Sequence, residues 1–353
     1  MAKPTINFAS GLYDRMLPLY TGEVKADDID LKFIAIDDPR VIFDRMAGEH
    51  AFDACEMSTS EYLSRVSAGK CPFVAIPVFP SRVFRHSFIT INKRSGIKTP
   101  KDLAGKRIGV PLYTMTAAVW IRGHLQHDYG VDLSKVTWVQ GAIEKGGSHG
   151  SPTVLPLLKP VNIEANTSGK SLNELLDEGS IDAVLGTAVP DSIKTNPDIV
   201  RLFPNFREIE RDYYRRTRIF PIMHSVVIRR DVYEKNPFVA KSLFNVLNAS
   251  KNAALIHMKY LGALRYMLPW LTSDIDEIVS DREQDVSDVI QQLESQLDDA
   301  RDAAIEERKA ELDEEAESAK PLFAEQQRAG EPNAAEIEKL PHPGGPRTSA
   351  PTN

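Results

Sequence analysis

Short apolar runs alternate with amphipathic segments along the first part of the chain. The strand-like runs are TINFAS at 5–10, DLKFIAI at 30–36 and AFDACEM at 51–57, and each leads into a stretch with helical spacing of its apolar residues. Parallel strands need a crossover between them, and a helix usually supplies it. This alternation therefore predicts an α/β fold with a largely parallel sheet.

A second alternating set follows residue 90. The run KRIGV at 106–110 precedes a predicted helix over about 116–129, and further strand-like runs lie in VTWVQG and SIDAVLG. The strand SVVIRR at 225–230 then leads to a predicted long helix over about 237–267. Apolar residues keep near-helical spacing along this helix, so we expect one face of it to pack on the first set.

The two sets predict two lobes joined by two crossover segments, with the ligand between them. The first lobe is discontinuous, formed by 1–90 and 221–272, and the second lobe is 91–220. An acidic segment, 273–320, is predicted to be helical, and its thin apolar stripe favours a solvated helix over coiled-coil pairing. The Pro-, Gly- and Ser-rich end, 321–353, is predicted to be disordered.

Charge is unevenly distributed over these segments. The 353-residue chain has a formal net charge of -7, but residues 274–317 contain 18 acidic and 4 basic side chains. Residues 318–353 are balanced, which leaves residues 1–273 with a net charge of +7. A basic body favours an anionic ligand or partner.

Several classes of protein are disfavoured by what the sequence lacks. The N-terminus carries no leader-like apolar segment, and no apolar run approaches the ~18 residues of a membrane span, so we expect a cytoplasmic protein with no membrane partner. Cys55 and Cys71 are too few for a disulfide framework, lie in no metal-binding pattern, and are expected to be buried thiols. No GxGxxG follows the first strand, and no nucleic-acid-binding module is recognisable.

Hydroxyl side chains follow several predicted strands, where ligands of open α/β sheets collect. Ser58 stands three residues before Glu61, which is capping-box spacing. At two other strand ends the candidate ligand-binding residues are Tyr13, with Arg15 nearby, and Tyr113, Thr114 and Thr116. Each could grip a carboxylate with its hydroxyl, but for any single residue simple helix capping is the favoured interpretation.

Two stretches concentrate cationic side chains. VFPSRVFRHS contains Arg82, Arg85 and His86, and YYRRTRIFPIMHS contains Arg216, Arg218 and His224. Arginine offers a planar bidentate fork that suits carboxylates, and histidine titrates near working pH. A solvated basic patch remains an equal alternative for the first stretch. The arginines of the second stretch could instead pair with acidic neighbours, Glu208, Glu210 or Asp212.

The remaining histidines are assigned no chemistry. His124 and His127 have a spacing compatible with a metal, but a solvated helix face is favoured. His50, His149 and His342 lie in or beside turns, and His257 lies in the long helix. No metal site and no cofactor are predicted.

Several long stretches, in the same order, carry a resemblance to a known family. They are VAIPVFPSRVFRHS, GKRIGVPLYTMTAAVWIRGHLQHDYGVD, RLFP and YYRRTRIFPIMHSVVIRRDVYEKNP. Together they resemble the 4,5-dihydroxyphthalate decarboxylase family, and the resemblance covers about residues 5–271. It implies a type II periplasmic-binding-protein fold and a cytoplasmic carboxy-lyase that converts a hydroxylated aromatic diacid to 3,4-dihydroxybenzoate and CO2.

That chemistry requires a cationic group that binds the retained carboxylate, a group that accepts the phenolic proton, and an acid that protonates the ring carbon. His224 and His86 are the acid/base candidates. The predicted substrate-binding residues are Arg82, Arg85, Arg216, Arg218, Tyr113, Thr114, Thr116, Ser58 and Tyr13.

The chain departs from the family pattern in two places. Ala188 stands where an arginine is expected before Pro190, and the acidic tail replaces a Trp-Pro-Tyr-Gly-like C-terminal motif. A different class of function therefore stays open, a cytoplasmic solute-binding protein that holds a small aromatic carboxylate without catalysis. In either case the expected partner is a small aromatic acid.

Overall fold

The computed structural model describes residues 3–69, 71–150, 156–259 and 268–278. The chain divides into two units, Met1–Pro269 and Trp270–Asn353. Of the second unit, residues 271–278 are helical. Most of the predicted acidic helix and all of the predicted disordered tail, from residue 279 onward, lie outside the described residues.

The first sheet has five strands within the described residues, in the order β2-β1-β3-β11-β4. Strands β1, β2 and β3 are parallel, whereas β11 is antiparallel to both of its neighbours. The strands are β1 (Thr5–Ser10), β2 (Asp30–Ala35), β3 (Ala54–Ser58), β4 (Phe73–Arg82) and β11 (Ile222–Arg229).

The second sheet has six strands within the described residues, in the order β10-β5-β9-β6-β7-β8. Strands β9, β6, β7 and β8 are parallel, and β5 is antiparallel to β9 and β10. The strands are β5 (Ile89–Asn92), β6 (Arg107–Val110), β7 (Thr137–Gln140), β8 (Ile163–Ala165), β9 (Ala183–Leu185) and β10 (Ile199–Arg201).

Helices cover both sheets, and two chain segments connect them. One connection runs from β4 to β5, and the other runs from β10 through a helix back to β11. The helices are α1 (Leu17–Tyr20), α2 (Pro39–Glu49), α3 (Thr59–Ser67), α4 (Thr116–Gly123), α5 (Leu172–Glu178), α6 (Phe206–Thr217), α7 (Arg230–Lys235) and α8 (Phe238–Met258).

Separate apolar clusters form under each sheet. Ile6 and Phe8 of β1 pack with Leu243 and Leu247 of α8 beneath the first sheet. Trp138 of β7 and Ile121 of α4 belong to a cluster beneath the second sheet. The two sheets and their helices confirm the predicted α/β class.

The predicted long helix is confirmed in its first part, as α8, and its apolar face packs on the first sheet as expected. The helix α8 ends at Met258, and residues 260–267 of the predicted helix lie outside the described residues. The helix predicted over 116–129 changes character partway. The α-helix α4 ends at Gly123, and a π-helical turn, His124–Asp128, continues it. The prediction that both cysteines are buried holds for Cys55, whereas Cys71 is half-buried.

Candidate functional site

A buried carboxylate and a histidine meet in the middle of the first sheet. In the antiparallel register of β3 and β11, Glu56 lies opposite Val226 and His224 lies opposite Ser58. Glu56 and His224 are therefore diagonal neighbours, close enough for long side chains to touch. Nδ1 of His224 lies 2.6 Å from Oε1 of Glu56.

The backbone around His224 is irregular on its other side. The register of β11 against β4 shifts both before and after His224. Such irregularities re-aim side chains and are frequent beside active sites. His224 remains 19% exposed, and its ring lies edge-on to Phe43 with centroids 5.0 Å apart. Within the described residues its second nitrogen, Nε2, has no hydrogen-bond partner.

Glu56 is fully buried and accepts several hydrogen bonds. Ser10 Oγ donates at 2.6 Å, Tyr13 OH at 2.8 Å and the Gly11 amide at 3.2 Å. Burial by itself raises the pKa of Glu56, but the hydrogen bond and charge of His224, together with the two hydroxyl donors, lower that pKa overall. Glu56 is therefore an ionised carboxylate that lies directly against Nδ1 of His224.

Tyr13 lies against the same carboxylate. Burial and the negative charge of Glu56 raise the pKa of Tyr13 far above its ordinary value. The phenol thus stays protonated and remains a hydrogen-bond donor to Glu56.

These groups open onto a cavity of about 350 Å³. Its wall includes the N-terminal residues of α2 and α4, whose dipoles favour an anion. The lining residues are Tyr13, Asp38, Pro39, Arg40, Phe43, Ser58, Ser81, Arg85, Met115, Thr116, Ala117, His149, Thr187, Met223 and His224. Side chains from the layers of both sheets therefore form one concave site.

The two arginines of the lining differ in their partners. Arg40 is in ion pairs with Asp44 at 2.6 Å and Glu61 at 3.3 Å. Arg85 is 6% exposed, its Nε donates to the sulfur of Met223 at 3.2 Å, and no carboxylate of the described residues lies within 4 Å of it. Burial lowers the pKa of Arg85 to about 10, only partly offset by the more distant Glu210.

A buried guanidinium without a carboxylate partner destabilises the fold, because no attraction to an opposite charge offsets its loss of hydration. An anionic ligand in the cavity would provide that attraction. Arg85 is therefore the cation of this site that is available to a carboxylate.

Five of the residues predicted from sequence line this cavity: Tyr13, Ser58, Arg85, Thr116 and His224. Ser58 and Thr116 also bond each other, with their hydroxyl oxygens 2.9 Å apart. The predicted capping box is wrong, since Ser58 makes no side-chain cap bond and Glu61 pairs instead with Arg40 and Arg65.

The structure places the other predicted hydroxyl residues apart from this cavity. Thr114 lines a neighbouring cavity of about 460 Å³ that shares Arg40, Ser58 and Met115 with the first. Cζ of Arg122 lies over the Tyr113 ring, 3.7 Å from the ring centroid.

Three predicted arginines also lie outside the lining. Arg82 donates to the carbonyl of Phe220 and stacks on the ring of that residue. Arg216 is 3.5 Å from Asp128 with a side chain 56% exposed, so it is paired with an acidic residue other than those proposed from sequence. Arg218 ends α6 in a left-handed conformation, at φ 57°.

His86 is buried in a cluster of rings rather than in the cavity wall. Its ring lies 4.6 Å from that of His124 and 5.8 Å from that of Tyr213, centroid to centroid. The prediction of a solvated face at His124 is wrong, because His124 is only 4% exposed. His127 is exposed, as expected.

Sequence reasoning missed six polar residues of the site: Glu56 and, in the cavity lining, Asp38, Arg40, Ser81, His149 and Thr187. A signal existed for Glu56, since a carboxylate inside the apolar run AFDACEM demands buried partners. His149 follows a glycine-rich turn that carries no periodic signal. Ala188, where an arginine was expected, lines a shallow pocket next to this cavity that also includes His149 and Thr187.

The described residues lack two features that would bear on the chemistry. No group of three or more histidine, cysteine, aspartate or glutamate side chains is arranged there to hold a metal ion. Within the same residues, no helix has the length and apolar character needed to cross a membrane.

Structural similarity is found with sulfonate-binding proteins. The aliphatic sulphonate-binding protein of Escherichia coli has a TM-score of 0.44 at 12% identity, covering 73% of this chain and 76% of that protein. The alkanesulfonate-binding protein of Xanthomonas axonopodis pv. citri has a TM-score of 0.41 at 12% identity, covering 71% and 73%.

Sequence similarity is closer. Residues 80–149 match the NMT1/THI5-like family model. A 4,5-dihydroxyphthalate decarboxylase of Comamonas testosteroni is 36% identical over 281 residues, which cover 78% of this chain and 83% of the relative. Another, of Pseudomonas putida, is 40% identical over 216 residues, covering 61% and 83%. The chain thus belongs to the 4,5-dihydroxyphthalate decarboxylase family.

Proposed function

We propose that this protein decarboxylates 4,5-dihydroxyphthalate, or a closely similar hydroxylated aromatic diacid, to 3,4-dihydroxybenzoate and CO2. The observation that carries the proposal is the pairing of His224 with the buried Glu56 at the wall of a cavity that also contains Arg85. An acid and an unpaired cation in one concave site suit the protonation of a bound carboxylate-bearing ring.

Arg85 binds the carboxylate that the product retains. Its guanidinium is rigid, buried and without an internal carboxylate among the described residues, so the ligand supplies the counter-charge. The hydroxyls of Ser58 and Thr116 and the N-terminal end of α4 provide donors for the second carboxylate. Phe43, Met115 and Met223 supply apolar surface for the ring.

His224 supplies the proton. With Nδ1 held by Glu56, the protonated imidazole donates from Nε2 to the ring carbon that bears the leaving carboxylate. The bond between that carbon and the carboxylate then breaks, its electron pair returns to the ring, and CO2 departs. One proton is consumed for each CO2 released, and Glu56 stabilises the imidazolium that delivers it.

The test is product analysis with a panel of acids. Purified protein is incubated with 4,5-dihydroxyphthalate, 4-hydroxyphthalate, phthalate and 3,4-dihydroxybenzoate, and CO2 and products are measured by mass. We expect CO2 and 3,4-dihydroxybenzoate from the first acid and none from phthalate, which lacks the electron-donating hydroxyl. Binding of 4,5-dihydroxyphthalate without CO2 release over hours would overturn the proposal in favour of a binding protein.

A further inference from the structure

His149 enters the cavity from the layer of the second sheet. It belongs to the turn that follows β7, and it lies on the cavity lining together with His224. The turn passes very close to α2. A Cβ on the next residue, Gly150, would lie 2.6 Å from Cγ of Arg40 and 3.1 Å from a carboxylate oxygen of Asp44. Only glycine permits this approach, at φ 73°.

The charges around His149 differ from those around His224. Asp38, Arg40 and Asp44 face it from α2 and its N-cap. The other cationic or titratable side chains of the lining are those of Tyr13, Arg85 and His224. Burial and the positive charge of Arg40 lower the pKa of His149, with Asp38 and Asp44 opposing. At neutral pH His149 is therefore unprotonated.

The ring nitrogens of His149 make no hydrogen bond within the described residues. The ring itself is half-buried on the cavity wall. An unprotonated imidazole in such a position accepts a proton from a ligand. Nδ1 of His224, in contrast, is held by the buried, ionised Glu56. Two histidines with opposite electrostatic surroundings in one cavity divide acid and base roles between them.

We propose that His149 is a catalytic base, accepting the proton of the substrate hydroxyl that is para to the departing carboxylate. This inference rests on the proposed function. Removal of that proton moves the oxygen electron pair toward the ring and raises electron density at the para carbon, where His224 delivers its proton. After CO2 leaves, the electrons return to the oxygen and His149 gives back the proton, so it is unchanged over the cycle.

The first experiment observes the proton transfer without turnover. The product, 3,4-dihydroxybenzoate, is bound to the wild-type protein and to His149→Gln at pH 7, and the ultraviolet difference spectrum is recorded. The hydroxyl that was para to the departing carboxylate is the 3-hydroxyl of this product, and its ionisation shifts the absorption of the ring to longer wavelength. We expect the ionised band in wild type and its loss in His149→Gln, because glutamine can form a hydrogen bond but cannot take the proton.

Ligand affinity provides the matched measurement. Phthalate has both carboxylates and no hydroxyl, so its dissociation constant should agree within about twofold between the two proteins. Arg85, Ser58 and Thr116 are unchanged in the variant, and glutamine is close to histidine in size. The control variant is His127→Asn. His127 is exposed and is not part of the lining, and this variant should keep the ionised band.

Kinetics complete the test. We expect kcat/KM of His149→Gln to fall by about 10²-fold or more, the usual contribution of a general base. In wild type, kcat/KM should decline as the pH falls through the lowered pKa of His149, because the protonated ring cannot accept a proton. In the variant this acid-side decline should be absent.

The outcomes separate the inference from the proposed function. If His149→Gln retains both the ionised band and a kcat/KM within about threefold of wild type, the assignment of His149 is wrong while decarboxylation stands. If the wild-type protein ionises bound 3,4-dihydroxybenzoate in a His149-dependent way but releases no CO2 from the diacid, the proposed reaction fails and His149 remains the proton acceptor of the site.

Discussion

Two buried histidine environments in this molecule have little in common. His224 is bound through Nδ1 to an ionised, fully buried Glu56 and keeps partial access to a cavity. His86 is 1% exposed and packs against other rings, and neither of its nitrogens has a hydrogen bond within the described residues. The nearest carboxylate oxygen, on Glu210, is 3.9 Å from its Nδ1.

The difference shows that burial alone does not make a histidine functional. A carboxylate partner stabilises the imidazolium, whereas a ring-lined interior disfavours it. Burial and the neighbouring His124 accordingly lower the pKa of His86 to about 4. His224 is suited to deliver a proton, and His86 is suited to stay neutral and fill space.

Replacement of His224 should give the largest effect. We expect His224→Asn to lower kcat/KM for 4,5-dihydroxyphthalate by about 10³-fold, because the acid that protonates the ring carbon is lost. Asparagine keeps a polar group near Glu56, so the thermal unfolding midpoint and the phthalate dissociation constant serve as controls and should change little. A variant with undiminished CO2 release would remove His224 from the mechanism.

Arg85 should have the next largest effect, on binding. Arg85→Gln should weaken phthalate binding by about 10- to 100-fold, the contribution of a charge-assisted hydrogen bond. The matched control is Arg82→Gln, because Arg82 ends β4 three residues before Arg85 but bonds the Phe220 carbonyl outside the lining. Titration calorimetry of both variants checks this. Equal losses in the two would argue against Arg85 as the specific clamp.

Much of the fold could be predicted because its signals are local. The alternation of apolar runs and the stripe along α8 are read within windows of a few turns. The position of β11 between β3 and β4 could not be read in that way, since this pairing is set by burial of the whole sheet. The Glu56–His224 contact, whose partners are 168 positions apart in sequence, depends on that pairing.

The candidate site was predicted only in part for the same reason. Arg85 and His224 stood out by residue type, but local charge density does not report direction. Arg216 and Arg218 belong to the most cationic stretch of the sequence, yet they lie at the C-terminal end of α6 and outside the cavity lining. His149 comes to the cavity through a glycine turn whose path is set by its close contact with α2.

The interior around His86 should make the protein acid-sensitive. Its pKa is about 4 in the folded state and about 6.5 when unfolded, so the unfolded chain binds the proton first as the pH falls. Stability present above pH 6.5 is therefore lost between about pH 6.5 and 4, with about 2 kcal/mol lost by pH 5. The lowered pKa of His124 acts in the same direction.

His86→Leu should remove most of this loss. Leucine has a similar volume, does not titrate, and leaves no unpaired nitrogen in the ring cluster. Urea unfolding of the variant should show that its free energy of unfolding falls by about 2 kcal/mol less between pH 7.5 and pH 5 than that of wild type. Its kcat at pH 7.5 should stay within about threefold of the wild-type value. A large loss of kcat would instead return His86 to the catalytic scheme, as the sequence first suggested.

Arg216 should modulate the same cluster weakly. Its pair with Asp128 is exposed and 3.5 Å long, so Arg216→Gln should cost under about 1 kcal/mol at pH 7.5. Burial is the main reason that the pKa values of His86 and His124 are low, and the positive charge of Arg216 lowers both slightly further. Its removal should therefore raise both values and reduce the acid-induced loss by a few tenths of a kcal/mol, about the size of a screened surface interaction.

The comparison is Lys135→Gln, which removes another exposed pair, with Asp132. The free energy of unfolding of Lys135→Gln should lie below that of wild type by the same amount at pH 7.5 and pH 5. For Arg216→Gln the difference from wild type should be smaller at pH 5 than at pH 7.5. A difference that grows on acidification would mean that Arg216 stabilises the cluster by some route other than its charge.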